Sequence, residues 1–231
     1  MRAAVIADDG GRVINPSHHE RGLVAAWLGN AIGTFVEVGA GDPIRGSQTY
    51  HLELNGWRGL LIEPSAELAR ALRTTRKAEV VPVACAGPGA PATLQLWLLG
   101  WEARSHLFPG EQPSGVMQVE ARRLDDILTD AGVTGFDFLS IDVGGTEADV
   151  LSGFTASRFR PRLVLVDDRV QFGRSRRLLR AQGYVLVRRT GHNAWFVPRA
   201  DSGMAFADRM ALAWHYGPAR LGRRLLRRAL A

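Results

Sequence analysis

The sequence predicts an α/β fold with a doubly wound, mostly parallel sheet that ends in an antiparallel hairpin. Three observations point there. Short runs of β-forming, apolar residues alternate with helical patterns along the chain. Several of those runs end in acidic or glycine turn residues, as buried parallel strands do where they enter a loop. The last two runs are separated only by Thr190, Gly191, His192 and Asn193, a tight-hairpin signal that places one reversed strand near a sheet edge.

In order, Glu20 to Leu28 reads as a short helix with Leu23, Val24, Trp27 and Leu28 on one side. Thr34 to Val38 is the first buried strand. Gly46 to Asn55 is predicted as the helix that follows it, closed by Gly56. Gly59 to Ile62 is the second strand, stopped by Glu63 and Pro64, and Ser65 then N-caps a helix through Leu72. Val80 to Ala84 is the third. Between Gly87 and Gly115, glycines and prolines surround Thr93 to Leu99, which predicts one added strand and a loop, with Val116 to Arg122 as an edge strand. Leu124 to Ala131 reads as a helix, Phe136 to Ile141 as the fourth core strand, and Thr146 to Leu151 as a helix restart. Leu163 to Val166 is the fifth strand, followed by a basic helix from Arg174 to Ala181 and the hairpin of Tyr184 to Arg189 with Ala194 to Val197.

With 231 residues and 46% hydrophobic composition, the chain is expected to be one domain over 1–231, with a helical N-terminal extension over about 1–33 and a basic helical tail over about 202–231. No apolar run approaches the roughly 18 residues of a membrane span, and the start lacks a basic and apolar leader pattern, so a soluble cytoplasmic protein is expected. Cys85 is the only cysteine, which excludes an intrachain disulfide framework and a cysteine zinc cluster. The net charge of +6 would suit an anionic partner, but it is almost all arginine and a solvated surface explains it as well. Residues 219–231 form a basic amphipathic stretch able to rest weakly on an anionic membrane or pack on the domain.

Chemistry concentrates in FVEVGAGD, Phe35 to Asp42. A strand ending in Gly39-Ala40-Gly41 lets a ligand approach bare backbone. Glu37 just before the glycines would repel a diphosphate; it can accept hydrogen bonds from a ligand such as a sulfonium amino acid, or orient the loop. The third glycine of a dinucleotide fingerprint is missing. Glu63, 22 residues after Gly41 and at the end of the second strand, stands where a carboxylate can accept both hydroxyls of a ribose; a plain helix N-terminal charge is the alternative.

These residues resemble the FkbM family of S-adenosylmethionine-dependent O-methyltransferases over roughly Phe35 to Val197. The resemblance is carried by FVEVGAGD with GSQTYHLELNGWRGLLIEP (Gly46 to Pro64), by LDDIL with DFLSIDVGGTEADVLSGF (Leu124 to Phe154), and by FRPRLVLVDD and GYVLVRRTGHNAWFV. It implies the class I methyltransferase layout, S-adenosylmethionine as cofactor, and a hydroxyl of a sugar, glycoconjugate or natural product as methyl acceptor. It further implies Glu37, Gly39, Ala40, Gly41, Ser47, Glu63, Pro64, Ala84 and Asp142 as cofactor-binding positions. One departure stands out: the family usually reads Asp-Val-Glu-Gly where this chain has Asp142-Val143-Gly144-Gly145. The missing acid either supports catalysis, so that the chain is a non-catalytic or weakly active cofactor binder or uses another base, or is structural, so that Gly144 only loosens the turn.

For activating a hydroxyl, Asp142, His51, His106 and His192 are the candidate catalytic groups. A magnesium ion held by Asp142, Asp167 and Asp168 is the other route, similar to the metal site of catechol and macrolide-sugar O-methyltransferases. Asp167 and Asp168 can equally cap the next helix or pair with Arg169 and Arg174. Trp97, Trp101 and Phe108 are candidates to stack on an acceptor ring, with core packing favoured for Trp97. A nucleic-acid partner is not expected, because the fourth strand ends in Asp-Val-Gly-Gly and not in the Asn/Asp-Pro-Pro-aromatic pocket of base N-methylation. The expected partner is a small-molecule or glycan acceptor, with oligomerisation open.

Overall fold

The computed structural model describes residues 6–7, 13–14, 16–99, 102–104 and 110–203. The chain runs β1 (Ile6–Ala7), β2 (Val13–Ile14), α1 (Pro16–Leu28), β3 (Thr34–Val38), α2 (Tyr50–Leu54), β4 (Arg58–Ile62), α3 (Ala66–Thr75), β5 (Glu79–Val81) and β6 (Ala84–Cys85). It continues β7 (Thr93–Leu99), β8 (Glu102–Arg104), β9 (Gly115–Arg122), α4 (Leu124–Asp130), β10 (Phe138–Ile141), α5 (Glu147–Ser152) and α6 (Ala156–Phe159). The last elements are β11 (Leu163–Asp167), α7 (Phe172–Ala181), β12 (Tyr184–Thr190), β13 (Asn193–Pro198) and a short 3-10 turn over Arg199–Asp201.

Seven strands form the main sheet in the order β12-β13-β11-β10-β3-β4-β5. The five from β11 to β5 are mutually parallel, and β13 alone is reversed, set between β11 and β12. This is the predicted doubly wound sheet with its reversed strand near one edge. The chain leaves β3 first toward β4 and β5, then returns to build β10 and β11 on its other side. The strand order therefore switches direction between β3 and β10, which opens a crevice at their C-terminal ends.

Alternation along each strand assigns the two faces. Val36, Val38, Leu60, Ile62, Leu139, Ile141, Val164 and Val166 enter one apolar layer with Ile127, Leu128, Val150, Leu151 and Leu179 from α4, α5 and α7. The interleaved Phe35, Leu61, Phe138, Leu163, Leu165 and Trp195 enter the other, with Val24 and Leu28 of α1 and Leu72 of α3. Glu37, two residues after Phe35 on the same strand, therefore faces the α1–α3 layer.

Four expectations are corrected. Helix α2 begins at Tyr50 and not at Gly46, because the Gln48 amide and the Ser47 and Thr49 hydroxyls are drawn to Glu37. The run Val80 to Ala84 is split at Pro82, which has no N–H to give a ladder; β5 stays in the main sheet and β6 leaves it. The region read as one strand and a loop forms a second sheet of order β6-β9-β7-β8. Strand β9 is accordingly an interior strand, paired with both β6 and β7. His106, Trp101, Phe108 and the basic stretch 219–231 lie outside the described residues. Among the described residues, no helix is long and apolar enough to cross a membrane.

Where β11 hands over to α7, Asp168 is only 1% exposed, and both its carboxylate oxygens are buried without a hydrogen-bond partner, with Ser175 and the Gln171 amide nearby. Burial pushes its pKa from 3.8 up to about 6, against those contacts and the nearby Arg189. The native state thus holds a proton between about pH 4 and 6 that the unfolded chain releases, so this group's contribution to stability falls as pH rises through that window. Asp168→Asn removes the titration. Its stability relative to wild type is expected to rise by on the order of 2 kcal/mol between pH 4 and pH 7, read from denaturant midpoints. A difference that stays flat across that range would contradict the assignment.

Candidate functional site

The crevice at the strand switch is lined by the C-terminal ends of four core strands. Glu37 to Asp42 come from β3 and its turn, Ile62 to Pro64 from β4, Val83 to Cys85 from the β5–β6 step, and Ser140 with Asp142 to Gly144 from β10. Leu94 and Leu96 of β7 and Leu68 of α3 add an apolar wall, while Arg45, Gln48, Thr146 and Arg169 add polar groups. The second sheet thus lines the cleft, a role that its sequence, read as an added strand, a loop and an edge strand, did not show.

The floor is a backbone turn that only glycine permits. Gly39 has a φ of +76°, and a Cβ on it would lie 1.9 Å from the carbonyl oxygen of Asp142. The turn from β3 is therefore pressed directly against the end of β10. The N–H groups of Gly39 and Ala40 donate to the Ile62 carbonyl at 2.9 and 3.2 Å, and Gly41 N–H donates to Glu63 Oε2 at 2.9 Å. The other oxygen, Glu63 Oε1, accepts from Ser65 N–H at 2.8 Å. Each carboxylate oxygen keeps a second lone pair for a ligand. Burial raises the Glu63 pKa, and the two amides act against that shift.

Beneath the turn, Glu37 is 4% exposed and bound by protein donors. Gln48 N–H donates to Oε1 at 2.7 Å; the Ser47 and Thr49 hydroxyls donate to Oε2 at 3.0 and 2.5 Å. Arg76 stands 3.9 Å from the same oxygen and 3.3 Å from Glu53 Oε1, and donates to Ser47, Thr49 and the Pro43 carbonyl. Of the two roles open to Glu37, the structure shows it orienting the loop. Ser47 is corrected for the same reason. It is 2% exposed, does not line the cleft, and spends its hydroxyl on Glu37.

Glu37, Gly39, Ala40, Gly41, Glu63, Pro64, Ala84 and Asp142 are brought together on the cleft. Asp142 is exposed at the end of β10, within the field of Arg169. Among the described residues, the candidates His51 and His192 are not brought there. Both ring nitrogens of His51 are buried without a hydrogen-bond partner, and burial, with Arg21 nearby, lowers its pKa to about 4. His192 is exposed in the hairpin turn. Neither lines the cleft, so neither stands in reach of a reacting group there. Trp97, half-buried on β7, does not line it either.

The metal set expected from the strand ends is also corrected. Asp167 is taken by Arg169, whose Nε and Nη2 donate to its two oxygens at 3.0 and 2.9 Å, and Asp168 is turned into α7. Among the described residues, no group of three His, Cys, Asp or Glu side chains is placed to hold a metal ion. Arg174 pairs with Asp149 instead of either aspartate.

Glu147 was missed in the sequence, where it reads as an ordinary first-turn acid. It is 1% exposed, and its Oε1 accepts from the N–H groups of Val143 and Gly145 at 3.2 and 2.9 Å. Gly144 and Gly145 have φ of +72° and +121°. The Asp142–Gly145 turn is thus pinned by Glu147 and not loosened by Gly144, while the cleft at that point has no side chain.

The methyltransferase FkbM domain model matches residues 37–186, about two thirds of the chain. No curated protein matches. Among solved structures, the chain is similar to the FkbM methyltransferase of Methylobacillus flagellatus KT, with 16% identity and a TM-score of 0.47, covering 72% of this chain and 43% of that one. The chain therefore spans less than half of that protein's length. A hypothetical protein of Thermus thermophilus aligns at 16% identity over 84% of this chain and 92% of its own, TM-score 0.44. The precorrin-6y C5,15-methyltransferase of Geobacter metallireducens GS-15 aligns at 13% identity over 85% and 96%, TM-score 0.42. On the family match, which takes in the cleft from Glu37 through the β10 turn and beyond, the chain belongs to the FkbM methyltransferase family.

Proposed function

We propose that this protein transfers a methyl group from S-adenosylmethionine to a hydroxyl of a sugar, glycoconjugate or natural product. The observation that carries the cofactor reading is Glu63. Its carboxylate is fixed by the Gly41 and Ser65 amides beside a bare glycine turn, with lone pairs left to accept two vicinal hydroxyls. The apolar side chains of Leu68, Val83, Leu94 and Leu96 beyond it fit an adenine ring, and Glu37 under the turn disfavours a diphosphate.

The cofactor, when bound, supplies a methyl group on a sulfonium whose departure needs no acid. The protein's share is alignment of the acceptor and acceptance of its proton. Asp142, exposed at the mouth of β10, is the carboxylate positioned to hold an acceptor hydroxyl, with Arg169 lining the same cleft. The bare turn at Gly144 supports a second reading, a weakly active cofactor binder, because the acid usual in the family is missing there.

Calorimetry separates these. S-adenosylmethionine and S-adenosylhomocysteine are expected to bind the wild type, and Glu63→Ala to weaken both by at least about tenfold, the loss of charge-assisted hydrogen bonds worth about 1.5–3 kcal/mol. Preferential binding of NAD would refute the cofactor assignment. In methyl transfer to a panel of sugar acceptors, Asp142→Asn should lower kcat by about 100-fold or more. Added chelator should leave the rate unchanged, since Asp167 is held by Arg169 and Asp168 is buried away from the cleft lining. No transfer by the wild type together with transfer by Gly144→Glu would select the second reading.

A further inference from the structure

Gln48 lines the cleft, and its side-chain oxygen is buried with no hydrogen-bond partner. Its amide nitrogen donates to Glu20 Oε2 of α1 at 2.8 Å. Counting protons fixes that orientation. Trp195 Nε1–H can only donate, and it donates to Thr190 Oγ1 at 2.7 Å. Thr190 has one hydroxyl proton, which goes to Glu20 Oε1. Asn193 Nδ2 donates to Glu20 Oε2 at 2.6 Å. Glu20 is thus an acceptor on every side, and a flipped Gln48 amide would set two acceptors face to face. Gln48 Oε1 is thereby turned away from Glu20, while the main-chain N–H of the same residue is held by Glu37 at 2.7 Å.

A buried carbonyl oxygen without a donor is unfavourable, and a ligand N–H relieves it. We propose that Gln48 Oε1 accepts a hydrogen bond from the α-ammonium group of the cofactor's methionyl end, with Glu20 as the residue that positions it. Gln48 sits on the loop after the glycine turn, whereas the ribose acid Glu63 follows β4. Arg45, three residues earlier, lines the same cleft. A neutral acceptor and a cation on one loop match the ammonium and carboxylate of an amino acid. A lone acceptor hydroxyl has no use for the pair.

The inference rests on the S-adenosylmethionine reading and is tested with two ligands that differ only at that end. S-adenosylhomocysteine carries the amino acid group, whereas 5′-methylthioadenosine retains the adenosine and lacks it. By calorimetry, Gln48→Ala and the near-isosteric Gln48→Met are expected to weaken S-adenosylhomocysteine about tenfold and to leave methylthioadenosine unchanged. Glu20→Gln should weaken the first ligand by a smaller factor, again without touching the second. The Glu37 bond to the residue 48 amide survives any side chain, and unfolding midpoints check that the loop is kept. Unchanged S-adenosylhomocysteine affinity in both Gln48 variants, or equal loss of both ligands, would overturn the inference while leaving the cofactor reading intact. Failure of the wild type to bind either ligand would overturn both.

Discussion

A carboxylate sealed beneath the end of a parallel sheet must be surrounded by donors, and the needs of Glu37 shape much of this cleft. Taking an ionised group out of water costs several kcal/mol unless its lone pairs are filled. Burial accordingly raises the Glu37 pKa, while Thr49, Arg76, Gln48 and Ser47 all act in the opposite sense. Those four partners lie on two separate segments, the loop after the glycine turn and the end of α3. Satisfying Glu37 therefore fixes the loop, delays α2 until Tyr50, and brings in Arg76, whose own charge is shared with Glu53. Glu53 in turn accepts from the amides of Lys77 and Ala78, at the approach to β5. One buried charge thus connects β3, α2, α3 and β5 on the α1–α3 side of the sheet.

The same device recurs around the cleft. Glu63 holds the turn of Gly41 and the start of α3; Glu147 holds the turn after β10; Glu20 ties α1 to the hairpin and to Gln48. In each case a carboxylate of low exposure accepts from main-chain amides or fixed side chains, and in each burial raises the pKa. Loops held in this way are ordered before a ligand arrives, so binding does not have to order them. The apolar layers alone could not do this, since packing is non-directional and does not specify where a turn's N–H groups point.

The sheet was legible in the sequence because strands buried on both faces are written as short continuous apolar runs and the turns as glycine and acid. Phe35, Val36 and Val38, or Leu163 to Val166, can be assigned from their neighbours alone. Strands β7 and β9 were read in place, but their assembly with β6 and β8 into a second sheet was not legible, because mixed patterns such as Gln95 opposite Gln118 give no face to match and because Pro82 divides what reads as one run. In the cleft, the glycines and Glu63 were readable from spacing. Ser47 departs from expectation because the predicted helix starts only at Tyr50 and its hydroxyl goes to Glu37, while Gln48, for which the sequence carried no signal, lines the cleft. His51 carried a reasonable chemistry with the wrong surroundings, since which face of α2 it takes depends on α1 packing beside it. Asp167 and Asp168 are adjacent in sequence, but Asp167 ends β11 and is held by Arg169, whereas Asp168 just beyond it is buried with neither oxygen hydrogen-bonded.

That contrast divides the cleft by physical character. On the β3 and β4 side, Glu37 and Glu63 are buried and engaged by the protein's own donors, so the wall is rigid and its chemistry is set by what those donors leave over: the spare lone pairs of Glu63 and the oxygen of Gln48. On the β10 and β11 side, Asp142 is exposed, Arg169 is paired but reaches the cleft, and Gly144 contributes only backbone. Change on the first side disturbs the core, because each carboxylate there is tied to turns and helices that depend on it. Change on the second side is structurally cheaper, because the turn is pinned by Glu147 from behind and not by residue 144. Gly144, where the family resemblance implies an acid, is thus accommodated in the fold, and its consequence falls on the side of Asp142 while the wall with Glu63 and Gln48 is left as built.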